Sequence, residues 1–320
     1  MSRGTLAGSA AVLVTAVLWG TTGTAATFAP QVGPLAMGAA ALGIGGLLQA
    51  AIAVPHLRRE WAALTSQRGI VLAGALGVAI YPLAFYSSMH LAGVAVGTVV
   101  SLGSAPIVSG ILEWIVERKR ASAWWMAAAG VGLTGSAVLC VAKIQHAPAD
   151  SGATAAGVVV GLLAGATYAL YSWAAHRLMG SGVSRSASMG AVFGLGGAAL
   201  IPVLAITGAP LLAGAQNLAV AAYMALVPMF LGYVLFGFGL TRVSASTATT
   251  ITLVEPAVAT VLALVIVGER LSLLGWLGLA TIGLSLVLLA VAPAAHEPTR
   301  ESLLQGPARA RRRRPGSAPL

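Results

Sequence analysis

Hydrophobic positions in this chain fill continuous blocks, broken by short clusters of glycine and proline and by isolated charges. An α-helix crosses a hydrocarbon core of roughly 30 Å with about 20 apolar residues. The chain divides into ten such blocks, near residues 6–28, 33–54, 69–89, 93–115, 122–142, 155–175, 187–207, 216–239, 245–267 and 272–292. The pattern predicts an all-α integral membrane protein with ten transmembrane helices. Met1 to Phe28 reads as the first span rather than a cleaved leader, because its apolar run outlasts a usual signal core and its removal would leave nine spans.

Composition removes the soluble alternative. Of 320 residues, 58% are hydrophobic and 8% charged, too little polar surface to coat a water-soluble body of this size. The 40 glycines, set among Ala, Val and Leu, are the small-residue content that lets membrane helices approach closely. Pairs such as Gly161 with Gly165 are too frequent in this composition to mark a dimer face. A single cysteine, Cys140, precludes an intramolecular disulfide and a cysteine metal cluster.

The net charge of +10 is unevenly placed. With the first residue on the cytoplasmic side, the inside segments hold Arg3, Arg58, Arg59, Arg68, Arg118, Lys119, Arg120, Arg177, Arg185, Arg242 and six arginines of the tail, against Lys143 and Arg270 outside. The positive-inside rule therefore expects both termini in the cytoplasm of a multi-pass plasma-membrane protein. Arg309 to Arg314, flanked by Gly306, Pro307, Pro315 and Gly316, read as a disordered tail that sets orientation and meets anionic lipid, with no nucleic acid as partner.

The chain also repeats itself. An offset of 150 brings Leu91 to Ala95 and Ala105-Pro106 into register with Thr241 to Ala245 and Glu255-Pro256. After a two-residue gap, Glu117-Arg118 with Trp124 matches Glu269-Arg270 with Trp276. Gly8 aligns with Gly157, which sets Trp19 opposite Tyr168. Two repeats follow, at 1–145 and 153–292, with a tail at 293–320. Because each holds five spans, an odd number, the second lies upside down relative to the first, as in secondary transporters that alternate between openings on the two sides.

These residues resemble the drug/metabolite transporter superfamily, in particular its members built from two EamA domains. Thr252-Leu253-Val254-Glu255-Pro256 through Gly268-Glu269-Arg270-Leu271 and Trp276 is similar to the end of the second EamA unit, and Trp19-Gly20 to the start of the first. The resemblance covers residues 6–292 and implies a transporter of a small molecule, working as an exporter. The chain departs from the family pattern in two respects, one being that Glu117 lies nearer Pro106 than Glu269 does to Pro256. Many relatives carry an arginine early in span two, whereas Pro34 to Leu48 has no charge.

Ionisable groups at the membrane centre cost roughly 2.5 to 3.5 kcal/mol and mark functional sites by default. Glu255 sits near the middle of span nine, where its repeat-mate is Ala105, so the helix does not itself require a carboxyl. It has two readings. It binds a cation, a substrate amine or a coupling proton, with Thr252 one turn away on the same face; or it bonds backbone groups freed by Pro256. Glu113, near the cytoplasmic end of span four, is expected at the interface, pairing with Lys119 or Arg120, and Glu269 is expected to pair with Arg270, with a gate contact as its second reading.

Pro82, Pro106, Pro228 and Pro256 are expected to interrupt spans three, four, eight and nine, corresponding spans of the two halves, where freed carbonyls line a cavity. Trp19, Tyr81, Tyr86, Tyr168, Tyr171 and Tyr233 are candidates to line it, stacking on an amphipathic substrate or holding a cation over a ring. For any one of them core packing or lipid contact is the competing reading. Trp61, Trp124, Trp125 and Trp276 are placed as interfacial anchors.

The five histidines show no metal-ligand spacing, and no phosphate-binding glycine loop is present, so neither metal nor cofactor is implied. The expected function is alternating-access transport of a small metabolite, amino acid or drug-like compound, with proton coupling through Glu255 as one mode. The alternative is a membrane enzyme acting on lipid, which calls for at least two converging acid, base or nucleophilic groups. A receptor or scaffold is a third reading, for which the longest internal loop, about 55 to 68, is too short to fold.

Overall fold

A computed structural model describes residues 3–144, 151–267 and 272–291, and all regular structure among them is helical. In the first half, α1 (Arg3–Ala26), α2 (Pro34–Arg59), α4 (Arg68–Ala92), α5 (Val94–Glu117) and α6 (Ala123–Ile144) are the spans, and the six-residue α3 (Trp61–Ser66) connects α2 to α4. The second half holds α7 (Ser151–Gly180) and α8 (Arg185–Thr207), a broken eighth span made of α9 (Ala215–Met224) and α10 (Gly232–Leu240), a broken ninth made of α11 (Ala245–Ile251) and α12 (Glu255–Leu262), and α13 (Leu273–Val291). Among the described residues, nine spans meet the length and hydropathy of a membrane crossing, and a shorter apolar helix, Ala123–Leu139 within α6, stands fifth. Glu269, Arg270 and the arginine tail lie outside the described residues.

Local chemistry sets the ends of these helices. Pro34 opens α2, where a missing amide costs nothing. Ser184 and Ser244 cap α8 and α11, accepting from the amides of Ala187 and Thr247. Gly93 separates α4 from α5 at a φ of 85°, which a side chain would resist.

Contacts between the halves follow the repeat. In span order, α2 packs on α8 and α6 on α13, each with its own repeat-mate. The third span packs on the sixth just as the eighth packs on the first. A single residue contact shows the symmetry: a Cβ on Gly8 would lie 2.6 Å from Arg242 Cβ, and one on Gly157 would lie 2.6 Å from Ala92 Cβ. Gly8 and Gly157 are repeat-mates, and so are Ala92 and Arg242.

The ends carrying Arg58, Arg59, Arg68, Arg118, Arg177, Arg185 and Arg242 gather on one side of the bundle, termed here the basic face. The loop expected there at 55 to 68 is helical instead, because α2 runs to Arg59 and α3 follows. Ser184 donates its amide to Glu60 Oε2 at 2.7 Å and so fixes this connection to α8. Burial pushes the Glu60 carboxyl up, but the bonds from Ser184 and the charges of His56 and Arg59 outweigh it and leave the group below its ordinary value.

The four prolines do not act alike. Pro82 and Pro106 sit inside continuous α4 and α5, contrary to the expected breaks. Pro228 lies in a π-helical segment, Ala225–Leu231, and Pro256 follows a tight turn at Thr252–Val254. A proline removes one amide, and the helix around it stays α-helical unless other groups hold the freed carbonyls in another arrangement. In span eight such groups are present.

Candidate functional site

At mid-depth, α1 crosses the two broken spans of the second half. Trp19 Nε1 donates to Pro228 O at 3.0 Å, Thr15 Oγ1 to Gly232 O at 3.1 Å, and Gln49 Nε2 to Phe230 O at 2.8 Å. Three side chains of the first half thus satisfy carbonyls in and just after the π-helical turn, which is how the unwound geometry is held among apolar residues. The next residue, Gly20, lets α1 reach α12: a Cβ there would lie 2.7 Å from Val258 Cβ and 3.1 Å from Glu255 O. The Trp19-Gly20 pair therefore docks one helix against both breaks.

Beside this crossing lies a cavity of about 10 Å³, room for roughly one water. Trp19, Thr22, Gly38, Ala41, Leu42, Tyr81, Pro82, Phe85 and Tyr86 of the first half line it, with Met229, Tyr233 and Glu255 of the second. Thr22, Gly38 and Tyr86 belong to the end of the bundle away from the basic face. No lysine, arginine or histidine lines the cavity.

Glu255 is 5% exposed, and its Oε2 has no hydrogen-bond partner. Burying a carboxyl oxygen unpaired costs several times what a made bond returns, so this atom is the most chemically exacting on the cavity wall. The rings around it form one cluster. Trp19 meets Tyr233 at 4.9 Å between centroids, Tyr81 meets Phe85 at 5.5 Å, and the repeat-mates Trp19 and Tyr168 meet edge to face at 5.9 Å.

Of the residues singled out by sequence, Trp19, Tyr81, Pro82, Tyr86, Tyr233 and Glu255 come together on the cavity wall. Tyr168, Tyr171 and Thr252 form a fully buried layer behind it. Tyr168 and Thr252 share a hydrogen bond of 2.8 Å between hydroxyls, and Tyr171 and Tyr233 one of 2.7 Å. Pro106, Pro228 and Pro256 are not on the wall; the last two shape the broken spans that place Met229, Tyr233 and Glu255 there.

Phe85, Met229, Thr22 and Gly38 were not distinguishable in sequence from their apolar and small neighbours. Gln49 was: a lone amide within an apolar span, now 3% exposed and bonded to the π-helical turn. The uncharged stretch of span two also has a reason. Residues 36–43 are all buried between neighbouring helices, and Gly38 lets Pro82 O and Tyr86 approach within about 3.0 Å of where its Cβ would be.

Two expectations are corrected. Glu113 is not at a solvated interface but 9% exposed, its Oε1 accepting from the Ser246 amide at 2.8 Å and its Oε2 from Ser246 Oγ at 2.7 Å. Lys119 pairs instead with Glu117, at 2.9 Å, while Glu117 also accepts from Trp173 Nε1. The left-handed turn at Arg118, φ 58°, ends α5 and folds the Lys119 amide back onto Glu113 O at 3.3 Å, while the Lys119 ammonium goes to Glu117. Trp125 is turned inward against Gly110, unlike the exposed Trp61, Trp124 and Trp276.

Comparison with known proteins adds the family context. The sequence matches the EamA-like transporter family twice, over residues 6–141 and 155–291. An uncharacterised transporter of Bacillus subtilis (strain 168), YwfM, is 36% identical over 287 residues, which cover 88% of this chain and 93% of that protein. An uncharacterised transporter of Clostridium kluyveri is 38% identical over 81 residues, a quarter of each chain. One solved crystal structure, 20% identical, superposes with a TM-score of 0.71 over 90% of this chain and 96% of its own, showing the same fold.

Proposed function

Because the chain belongs to the EamA-like transporter family, we propose that it moves a small amphipathic solute bearing an amine or other positive group by alternating access, with Glu255 receiving that group. The observation that supports this reading is the unpartnered Oε2 of a buried carboxyl on a cavity with no basic side chain. A positive group supplies the missing partner, and the faces of Trp19, Tyr81 and Tyr233 add attraction for a cation. An anionic solute finds no counter-charge there.

The cavity of about 10 Å³ is far smaller than a metabolite, so this conformation is the occluded one, and both halves contribute wall that must separate for a solute to enter. The basic face is the cytoplasmic one by the positive-inside rule, with the chain in the plasma membrane and net movement outward. When the solute leaves, a proton takes its place on Glu255, which couples the two movements.

Counterflow into proteoliposomes tests the reading, with a panel of organic amines, zwitterions and anions scored by mass spectrometry. Wild type is expected to exchange amines selectively. A hydrogen bond to a charged group contributes about 1.5–3 kcal/mol, so Glu255→Gln is expected to weaken apparent affinity about ten- to hundredfold. Equal exchange by wild type and variant would make Glu255 structural, preference for anions would refute the solute class, and conversion of lipid without flux would favour the enzyme.

A further inference from the structure

Glu113 is a second buried carboxyl, and the proposed solute path does not use it. It lies near the basic-face end of α5, in the first half, and bonds across to Ser246 at the start of α11, in the second. The α11 helix already has its own cap in Ser244. Four amides at a helix start lack a partner within the helix; Ser244 serves that of Thr247, and Glu113 serves that of Ser246 from the other half, so its bonds join the two halves. One turn deeper, Thr249 Oγ1 donates to Ser109 Oγ at 3.3 Å, continuing the same polar seam between spans four and nine.

In an inverted repeat, the two ends of this helix pair are related by symmetry, and the opposite end would close by the same contacts with the roles of the halves exchanged. The offset of 150 places Ala263 opposite Glu113, Val96 opposite Ser246, Ala259 opposite Ser109 and Val99 opposite Thr249. All four are apolar. One end of the span four and nine pair is pinned by hydrogen bonds to a carboxyl, and the four aligned positions at the other carry no side chain able to make them.

We propose that Glu113 is the latch of a gate on the basic face: its bonds to Ser246 hold span four against span nine while that face is shut, and the solute passes there only when they release. The proposal rests on the alternating-access reading. Glu113 touches no solute; it is absent from the cavity wall and is a positioning residue that sets which face is open.

The test uses the full chain in nanodiscs, on a Cys140→Ser background, with a hydrophilic maleimide as probe. Ser109→Cys reports opening of the basic-face seam, and Thr22→Cys reports access from the opposite face. Glu113→Gln is expected to raise labelling at Ser109→Cys about tenfold or more and to lower it at Thr22→Cys, a reciprocal change that local loosening does not produce. Ser246→Ala, which keeps the backbone bond and loses only the hydroxyl, is expected to move both rates the same way by less, and serves if Glu113→Gln fails to fold. Unchanged rates, or a rise at both positions, would overturn the latch. A disulfide between Ser109→Cys and Thr249→Cys separates this from the reading beneath it: solute exchange that survives the oxidised crosslink overturns the latch, whereas absence of exchange by the uncrosslinked wild type overturns the transport reading.

Discussion

Replacing Gly46 by alanine adds one methyl group where α2 and α8 touch backbone to backbone. An added Cβ would lie 2.3 Å from Phe193 O and 3.2 Å from Gly197 Cα, against an ordinary contact of 3.4 Å or more. Relief needs the helices to separate by about 1 Å, because the blocking atom is a carbonyl oxygen and cannot rotate aside. Overpacking of this kind costs about 1–3 kcal/mol. Gly23, in α1, has nothing within 4 Å of its Cβ position. There the same change stabilises by about 0.5–1 kcal/mol, since alanine loses less backbone freedom in a helix than glycine. The two variants are thus separated by about 1.5–4 kcal/mol with identical chemistry added. The assay is the temperature at which half the monodisperse peak of detergent-purified protein survives, measured for both variants and wild type. Gly46→Ala is expected below wild type and Gly23→Ala at or above it. Gly46→Ala surviving as well as Gly23→Ala would refute the close crossing of α2 and α8.

Trp19→Phe removes the donor to Pro228 O and leaves that buried carbonyl unpaired at a cost of about 1–3 kcal/mol. Backbone amides of Ala225–Leu231 are then expected to exchange with deuterium faster than in wild type, and unchanged exchange would mean the π-helical turn does not depend on Trp19. The lowered Glu60 carboxyl makes the junction with Ser184 pH-dependent. Its contribution is complete above the ordinary carboxylate value of 4.5 and is lost as pH falls through the lower folded value. Because Glu60 is largely solvated the effect is small. Deuterium exchange at the start of α8 is expected to quicken on acidification in wild type and to lose that response in Glu60→Gln.

Much of the architecture is a property of the sequence. Blocks of apolar residues long enough to cross a bilayer must become helices, because hydrocarbon offers the backbone no other hydrogen-bond partner, and this holds whatever the helices pack against. The offset between Pro106 and Pro256 likewise fixed the repeat, and an odd span count fixed its inversion. Glu255 stood out because charge in an apolar block is costly wherever it faces.

What a side chain faces was decided only by the tertiary structure. Tyr81 and Tyr233 reach the cavity while Tyr168 and Tyr171 stand behind it, although all four are tyrosines inside spans; helix rotation and neighbours make the difference. Pro82 and Pro228 lie in corresponding spans, yet only the second sits in an unwound turn, because Trp19 and Gln49 from other helices are there to bond the carbonyls of that turn. Glu113 is the sharpest case. Sequence distance set it beside Lys119 and Arg120, and the fold gave it Ser246, 133 residues away, instead. Hydrophobic burial reads the length and polarity of a segment, both of which are local, whereas a hydrogen bond needs a donor within about 3 Å, and for a side chain inside a bundle that donor belongs to another helix.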